Sequence, residues 1–243
     1  MRPLLIALQF LTRLPVRLNG PYRDEEMGRS LLWYPAVGLV IGAMLAALAW
    51  LLADRGGMVP AALVLALWVA LTGALHLDGL ADSADAWAGG FDDRERSLAI
   101  MKDPHSGPVA VTLLVTVLLM KFAAVDRLLA TGDWAGLGLA PVLGRSAVLA
   151  LLLTTPYVRA GGLGENLVKQ MPRRAVLAVL LAVAGLSILA TQQRGAIALA
   201  TASIGFVLLR QLMLERLGGT TGDTAGALVE LTECVVLVTL ALV

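Results

Sequence analysis

The chain has 243 residues, of which 58% are hydrophobic and 15% charged, with a mean hydropathy of +0.80. A soluble domain carries about a quarter charged residues, so this is the make-up of a helical membrane protein. A net charge of +1 argues against a nucleic-acid surface, and the lone Cys234 excludes an internal disulfide or a multi-cysteine metal site.

The N-terminal segment, MRPLLIALQFLTRLPVRLNG, has an apolar core interrupted by Gln9, Thr12 and Arg13, and no small-residue cleavage site follows it. It reads as an amphipathic helix on the membrane surface, ending near Pro15, rather than a signal peptide. A membrane-crossing helix needs about 20 mostly apolar residues. Seven stretches qualify: 31–53, 58–76, 108–124, 134–153, 174–191, 195–213 and 224–243. The links at 54–57 and 192–194 are short enough for tight hairpins. The apolar excess comes from Ala, Leu, Val and Gly, which let helices pack closely. The predicted fold is all-α, a polytopic membrane bundle of about seven transmembrane helices plus an N-terminal interfacial helix, in one domain over 1–243.

Loop Lys and Arg residues set orientation. With a cytoplasmic N-terminus, fourteen fall on the cytoplasmic side: Arg2, Arg13, Arg17, Arg23, Arg29, Arg94, Arg96, Lys102, Arg159, Lys169, Arg173, Arg174, Arg210 and Arg216. Four fall on the other side: Arg55, Lys121, Arg127 and Arg194. This assignment gathers the polar loops on one face. A transporter would more often hold its ionisable groups near the midplane.

The stretch LHLDGLADSADAWAGG at 75–90 follows an apolar run. If the second crossing helix continues past Leu75, Asp78, Asp82 and Asp85 share one face at i, i+4 and i+7. Clustered carboxylates repel one another. A solvated helix end is one explanation for them. The other is Mg²⁺, a hard cation that binds one or two carboxylates together with substrate phosphates. Gly79, Ala81 and Ala84 leave room for such a ligand. His76, just before the stripe, is either a hydrogen-bonded interfacial side chain or a base. Further on, Lys102 and Asp103 precede re-entry at Gly107–Pro108. Lys102 could meet a phosphate, and Asp103 a second cation.

The segment LGGTTGDTAGALVELTEC opens the last crossing helix. Its glycines keep the backbone open, and Thr220, Thr221 and Asp223 offer oxygens at a helix N-terminus, a ready anion site. Glu230 and Glu233 lie inside the apolar span. Acidic residues there need a function or a buried partner, for which Arg145 is the candidate.

These stretches resemble one family along nearly the whole chain. ALQFLTRLPV, WYPAVGLVIG, LHLDGLADSAD, IMKDPHSG, APVLGR, TPYVRAGGLGE and GGTTGDTAGALVELTE are similar to the blocks of the cobalamin synthases, or adenosylcobinamide-GDP ribazoletransferases. The resemblance implies a bacterial inner-membrane enzyme with its site on the cytoplasmic face. It implies transfer from adenosylcobinamide-GDP to α-ribazole or its 5′-phosphate, with release of GMP and a need for Mg²⁺. Association with other enzymes that assemble the nucleotide loop is a further expectation. The acidic residues at family positions are Asp78, Asp82, Asp85, Asp103, Asp223 and Glu230. The implied metal ligands are Asp78, Asp82, Asp85, Asp103 and Asp223, with Asp78, Asp82 and His76 catalytic. Lys102, His105, Arg145, Thr221, Gly222 and Glu230 are the substrate-binding candidates. One departure stands out: after MKD the family commonly has serine and arginine, where this chain has Pro104 and His105.

Two other classes fit parts of the pattern. CDP-alcohol and prenyl-diphosphate transferases also mount aspartates at helix ends, but their aspartate blocks are not found here. An ion-coupled transporter would use Glu230, Glu233 and Arg145.

Overall fold

A bilayer offers no water to satisfy a bare backbone, so long runs of Ala, Leu and Val can cross it only as helices. The computed structural model describes residues 1–243 apart from Asn19, Ala160, Gly162 and the Leu163 side chain. Among the described residues the helices are α1 (Arg2–Leu11), α2 (Asp24–Ser30), α3 (Tyr34–Leu51), α4 (Val59–Thr72), α5 (Leu75–Gly89), α6 (Arg94–Ile100), α7 (Pro108–Thr131), α8 (Trp134–Thr154), α9 (Leu163–Lys169), α10 (Arg173–Leu217) and α11 (Gly222–Leu242). Five are long and apolar enough to cross a membrane, and six crossings result if α4 and α5 form one bent span.

At 45 residues, α10 would run about 68 Å if straight. That is more than twice a hydrocarbon core of about 30 Å. It is not straight, because Gln192 has φ 52° and ψ −129°. A Cβ on Gly195 would run into the carbonyl oxygen of Ser187, eight residues back. Eight residues of unbroken helix would separate them by about 12 Å. The chain therefore folds back at Gln192, at the turn that the sequence places over 192–194. With α4 and α5 taken as one bent span, counting the two arms of α10 separately matches the seven stretches read from hydropathy.

α8 and α11 are the inner helices, with Leu137, Leu149, Leu151, Leu228, Val229 and Leu237 all sealed from outside. α10 lies at the periphery, its Leu181, Leu189 and Ile204 at least 61% exposed. Such faces cost nothing against lipid, where close packing rather than hydrophobicity joins helices. α3 shows how. A Cβ on Gly38 would meet the Pro141 carbonyl oxygen at 2.5 Å, and one on Gly42 that of Gly138 at 2.7 Å. The glycines, one turn apart, let α3 and α8 touch backbone to backbone.

One expectation is corrected. The second crossing helix does not continue past Leu75. It stops at Thr72, and α5 leaves at a bend of 87°. Gly73 and Ala74 both adopt left-handed backbone, at φ 60° and 57°. Three of the carbonyls this frees find donors: Ala74 N–H donates to Val69 and Gly73 N–H to Ala70, each at 3.2 Å. Arg13 N–H donates to Leu71 at 2.7 Å. The N-terminal segment thus seals the break. α1 ends at Leu11 rather than near Pro15, and Ile6, Ala7 and Leu11 are buried against the bundle.

Candidate active site

α5 and α11 cross where neither has a side chain in the way. A Cβ on Gly79 would fall 2.6 Å from the Asp223 carbonyl oxygen, and one on Gly226 would sit 3.4 Å from the His76 backbone. This crossing sets Asp78 on α5 beside Asp223 on α11. Both line a cavity of about 460 Å³, together with His76, Tyr157, Arg159 and Thr221. That volume suits a small-molecule site. Phe10, Leu11 and Tyr34 complete its apolar wall, with Phe10 and Tyr34 stacked at 6.4 Å. The N-terminal helix, read from sequence as an amphipathic helix on the membrane surface, therefore forms part of the cavity.

The start of α11 is built by its own threonines. Thr221 Oγ1 accepts from the Thr224 N–H at 3.2 Å, and Thr224 Oγ1 accepts from the Thr221 N–H at 2.9 Å. This reciprocal cap leaves Asp223 in the first turn, where the helix dipole favours a carboxylate. The preceding turn is tied down by a two-residue bridge. Val158 N–H donates to Thr220 at 2.9 Å, and Thr220 N–H donates to Pro156 at 2.8 Å. The bridge delivers Arg159 to the site, where its guanidinium donates to Asp223 Oδ2 at 2.7 Å. Burial pushes the Tyr157 phenol above its ordinary pKa. Arg159 was not among the residues singled out from sequence. Its partner lies 64 residues away, and only the bridge reveals the pairing.

A second, smaller cavity of about 140 Å³ adjoins the first. Lys102 and Met101 line it, and Arg159, Thr221 and Asp223 belong to both.

The aspartate stripe divides. Asp82 lies one turn beyond Asp78, within reach of the charges of Asp78, Asp223 and Arg159. Asp85 is taken up elsewhere: its two oxygens accept from the Gly107 N–H at 2.5 Å and the Ala110 N–H at 3.0 Å. It thereby caps α7 at re-entry. Asp103 and His105 lie outside both cavities and pair with each other, His105 Nδ1 standing 2.6 Å from Asp103 Oδ1. That hydrogen bond holds the Asp103 carboxyl below its ordinary pKa.

Arg145 and Glu230 lie inside the bundle and line neither cavity. Arg145 donates to Glu233, as the sequence suggests for one of the two glutamates. Lys121 is the unforeseen member. Counted from sequence as a far-side charge, it is 2% exposed and bonds Glu230 at 2.7 Å and Glu233 at 2.5 Å. Its ammonium also lies 4.5 Å from the Trp68 ring centroid. Two cations and two carboxylates thus neutralise one another between α7, α8 and α11. His76 is buried too, and its Nδ1 has no hydrogen-bond partner among the described residues.

Among the described residues no three His, Cys, Asp or Glu side chains close into a ready-made metal cage. The donors facing the larger cavity are nonetheless carboxylates, the hard ligands that Mg²⁺ takes one or two at a time while phosphates and water complete its shell.

The family model described as cobalamin-5-phosphate synthase matches residues 3–241. An adenosylcobinamide-GDP ribazoletransferase of Stutzerimonas stutzeri (strain A1501) is 60% identical, over 100% of this chain and 98% of its own length. The enzyme of the same name from Pseudomonas savastanoi pv. phaseolicola (strain 1448A / Race 6) is 57% identical, over all of both chains. That of Pseudomonas aeruginosa (strain UCBPP-PA14) is 58% identical, over 100% of this chain and 98% of its own. No solved structure matches. These likenesses run over the full length, and the chain belongs to the cobalamin-5-phosphate synthase family.

Proposed function

We propose that this chain joins adenosylcobinamide-GDP to α-ribazole or its 5′-phosphate and releases GMP, with Mg²⁺ as cofactor. The observation that carries this reading is the meeting of Asp78 and Asp223, from different helices, in one cavity beside Arg159. Asp78, Asp82 and Asp223 would hold Mg²⁺, which when bound neutralises diphosphate charge and the departing phosphate.

The chain's own residues supply the rest. A ribose hydroxyl oxygen bonds to the phosphorus that carries cobinamide. The bond from that phosphorus to the bridging oxygen breaks, and GMP leaves with the electron pair. The hydroxyl proton passes to His76, or to Asp82 where Asp78 and Asp223 alone hold the cation. Thr221 and Gly222 let the substrate approach the backbone at the head of α11. Phe10, Leu11 and Tyr34 keep bulk water from one side. Lys102, lining the smaller cavity, offers a charge to phosphate.

The enzyme sits in the bacterial inner membrane with its N-terminus and this site on the cytoplasmic side. Removing the buried Lys121 from the loop count leaves fourteen Lys and Arg residues against three, which strengthens that orientation.

The test is a release assay in lipid with Mg²⁺. With adenosylcobinamide-GDP and α-ribazole 5′-phosphate the expected products are GMP and a phosphate-bridged corrinoid. No GMP, but CMP from a CDP-alcohol donor, would move the chain to a different transferase class.

A further inference from the structure

We infer that the smaller cavity is a phosphate-ester subsite, and that Arg159 is its anchor, letting go of Asp223 to take the phosphate. The identity of the phosphate ester rests on the transferase reading; the subsite rests on the geometry.

Two cations, Lys102 and Arg159, line this cavity against one carboxylate, Asp223. Asp223 is already matched by Arg159, so one positive charge is left over. The first turn of α11 adds partial positive charge. At about 140 Å³, the space holds roughly four or five water-sized groups. A phosphate has five heavy atoms and fits; a nucleoside does not. The base and ribose must then extend toward the larger cavity, which shares Arg159, Thr221 and Asp223 with the smaller.

Arg159 is suited to the exchange. Its backbone follows directly on the Tyr157–Thr220 bridge, so its position is fixed. Its recorded bond to Asp223 uses one of the five donors on a planar fork that matches phosphate oxygens. The side chain is about one-third exposed, so it can turn without unpacking the bundle. Once Arg159 turns to phosphate, Asp223 loses its partner and becomes open to a cation. In this chain Arg159 and Lys102 would supply the positive charge that His105, exposed and paired with Asp103, does not bring to the cavities.

A phosphate ester could come from the 5′-phosphate of the acceptor or from the guanylate end of the donor. The experiment separates them by binding, without turnover. Full-length protein in nanodiscs is titrated calorimetrically with α-ribazole 5′-phosphate and α-ribazole, and separately with GMP and guanosine. Wild type, Arg159→Gln and Lys102→Gln are compared. In at least one pair, the phosphorylated ligand is expected to bind wild type at least tenfold tighter than its nucleoside. Both variants should erase most of that difference while keeping the wild-type helical circular dichroism, which shows that they are folded. The pair that responds names the source of the phosphate. The inference is overturned if neither pair discriminates in wild type, or if discrimination survives in Arg159→Gln, whatever Lys102→Gln shows. Failure of the transferase reading looks different: no GMP release from adenosylcobinamide-GDP, with phosphate discrimination intact.

Discussion

Gly79 and Asp223 touch so closely that a Cβ on the glycine would lie 2.6 Å from the aspartate's carbonyl oxygen. Because the atom met is backbone, the helices themselves would have to separate. Gly79→Ala should therefore shift Asp78 from Asp223, and a misplacement near 1 Å costs roughly a hundredfold in rate. Gly138→Ala is the matched control, since a Cβ there meets nothing within 4 Å. Turnover of the two variants, alongside their yields from membranes, checks this. Equal activity in both would remove the crossing from the mechanism.

Asp78 and Asp85 stand two turns apart on α5 and should behave oppositely. Asp85 accepts the Gly107 and Ala110 N–H groups. Asp85→Ala should cost about 0.5–2 kcal/mol as a lost cap, seen as a lower melting temperature with turnover largely kept. Asp78→Asn should abolish turnover and leave melting unchanged. The reverse pattern would make Asp85 the functional carboxylate.

Inside the bundle, Glu233 serves both Lys121 and Arg145, whereas Glu230 serves only Lys121. Glu233→Gln strands Arg145, which is fully buried, and stranding a buried charge costs about 3–5 kcal/mol. Glu230→Gln leaves Lys121 with Glu233 and should cost less. Thermal unfolding in detergent ranks the two. If Glu230→Gln proves the more damaging, the ion network is not what holds α7, α8 and α11 together.

Much of the architecture was legible in the sequence because hydropathy runs report membrane crossings directly. The turn near 192–194, the aspartate stripe and an Arg145–glutamate pair all follow from local pattern. The break at Gly73–Ala74 did not, because the run 58–76 stays apolar through it and the stabilising bond comes from Arg13. Lys121 was misplaced for a related reason. A lysine near the end of an apolar stretch reads as a loop charge, and its carboxylate partners lie 109 and 112 residues away. Asp85 looked like Asp78 and Asp82 because helical spacing shows which face a residue is on, not which backbone amides come to meet it. Arg159 escaped because its importance lies in a two-residue bridge with no sequence signature.

The central claim is that carboxylates from α5 and α11 jointly hold a divalent cation when the diphosphate donor is present. Mn²⁺ binding, followed by electron paramagnetic resonance with and without adenosylcobinamide-GDP, tests it most directly. Wild type should bind Mn²⁺ more tightly with the donor, and Asp78→Asn and Asp223→Asn should each weaken that binding at least tenfold, about 1.4 kcal/mol. Unchanged donor-dependent binding in both variants would contradict the account.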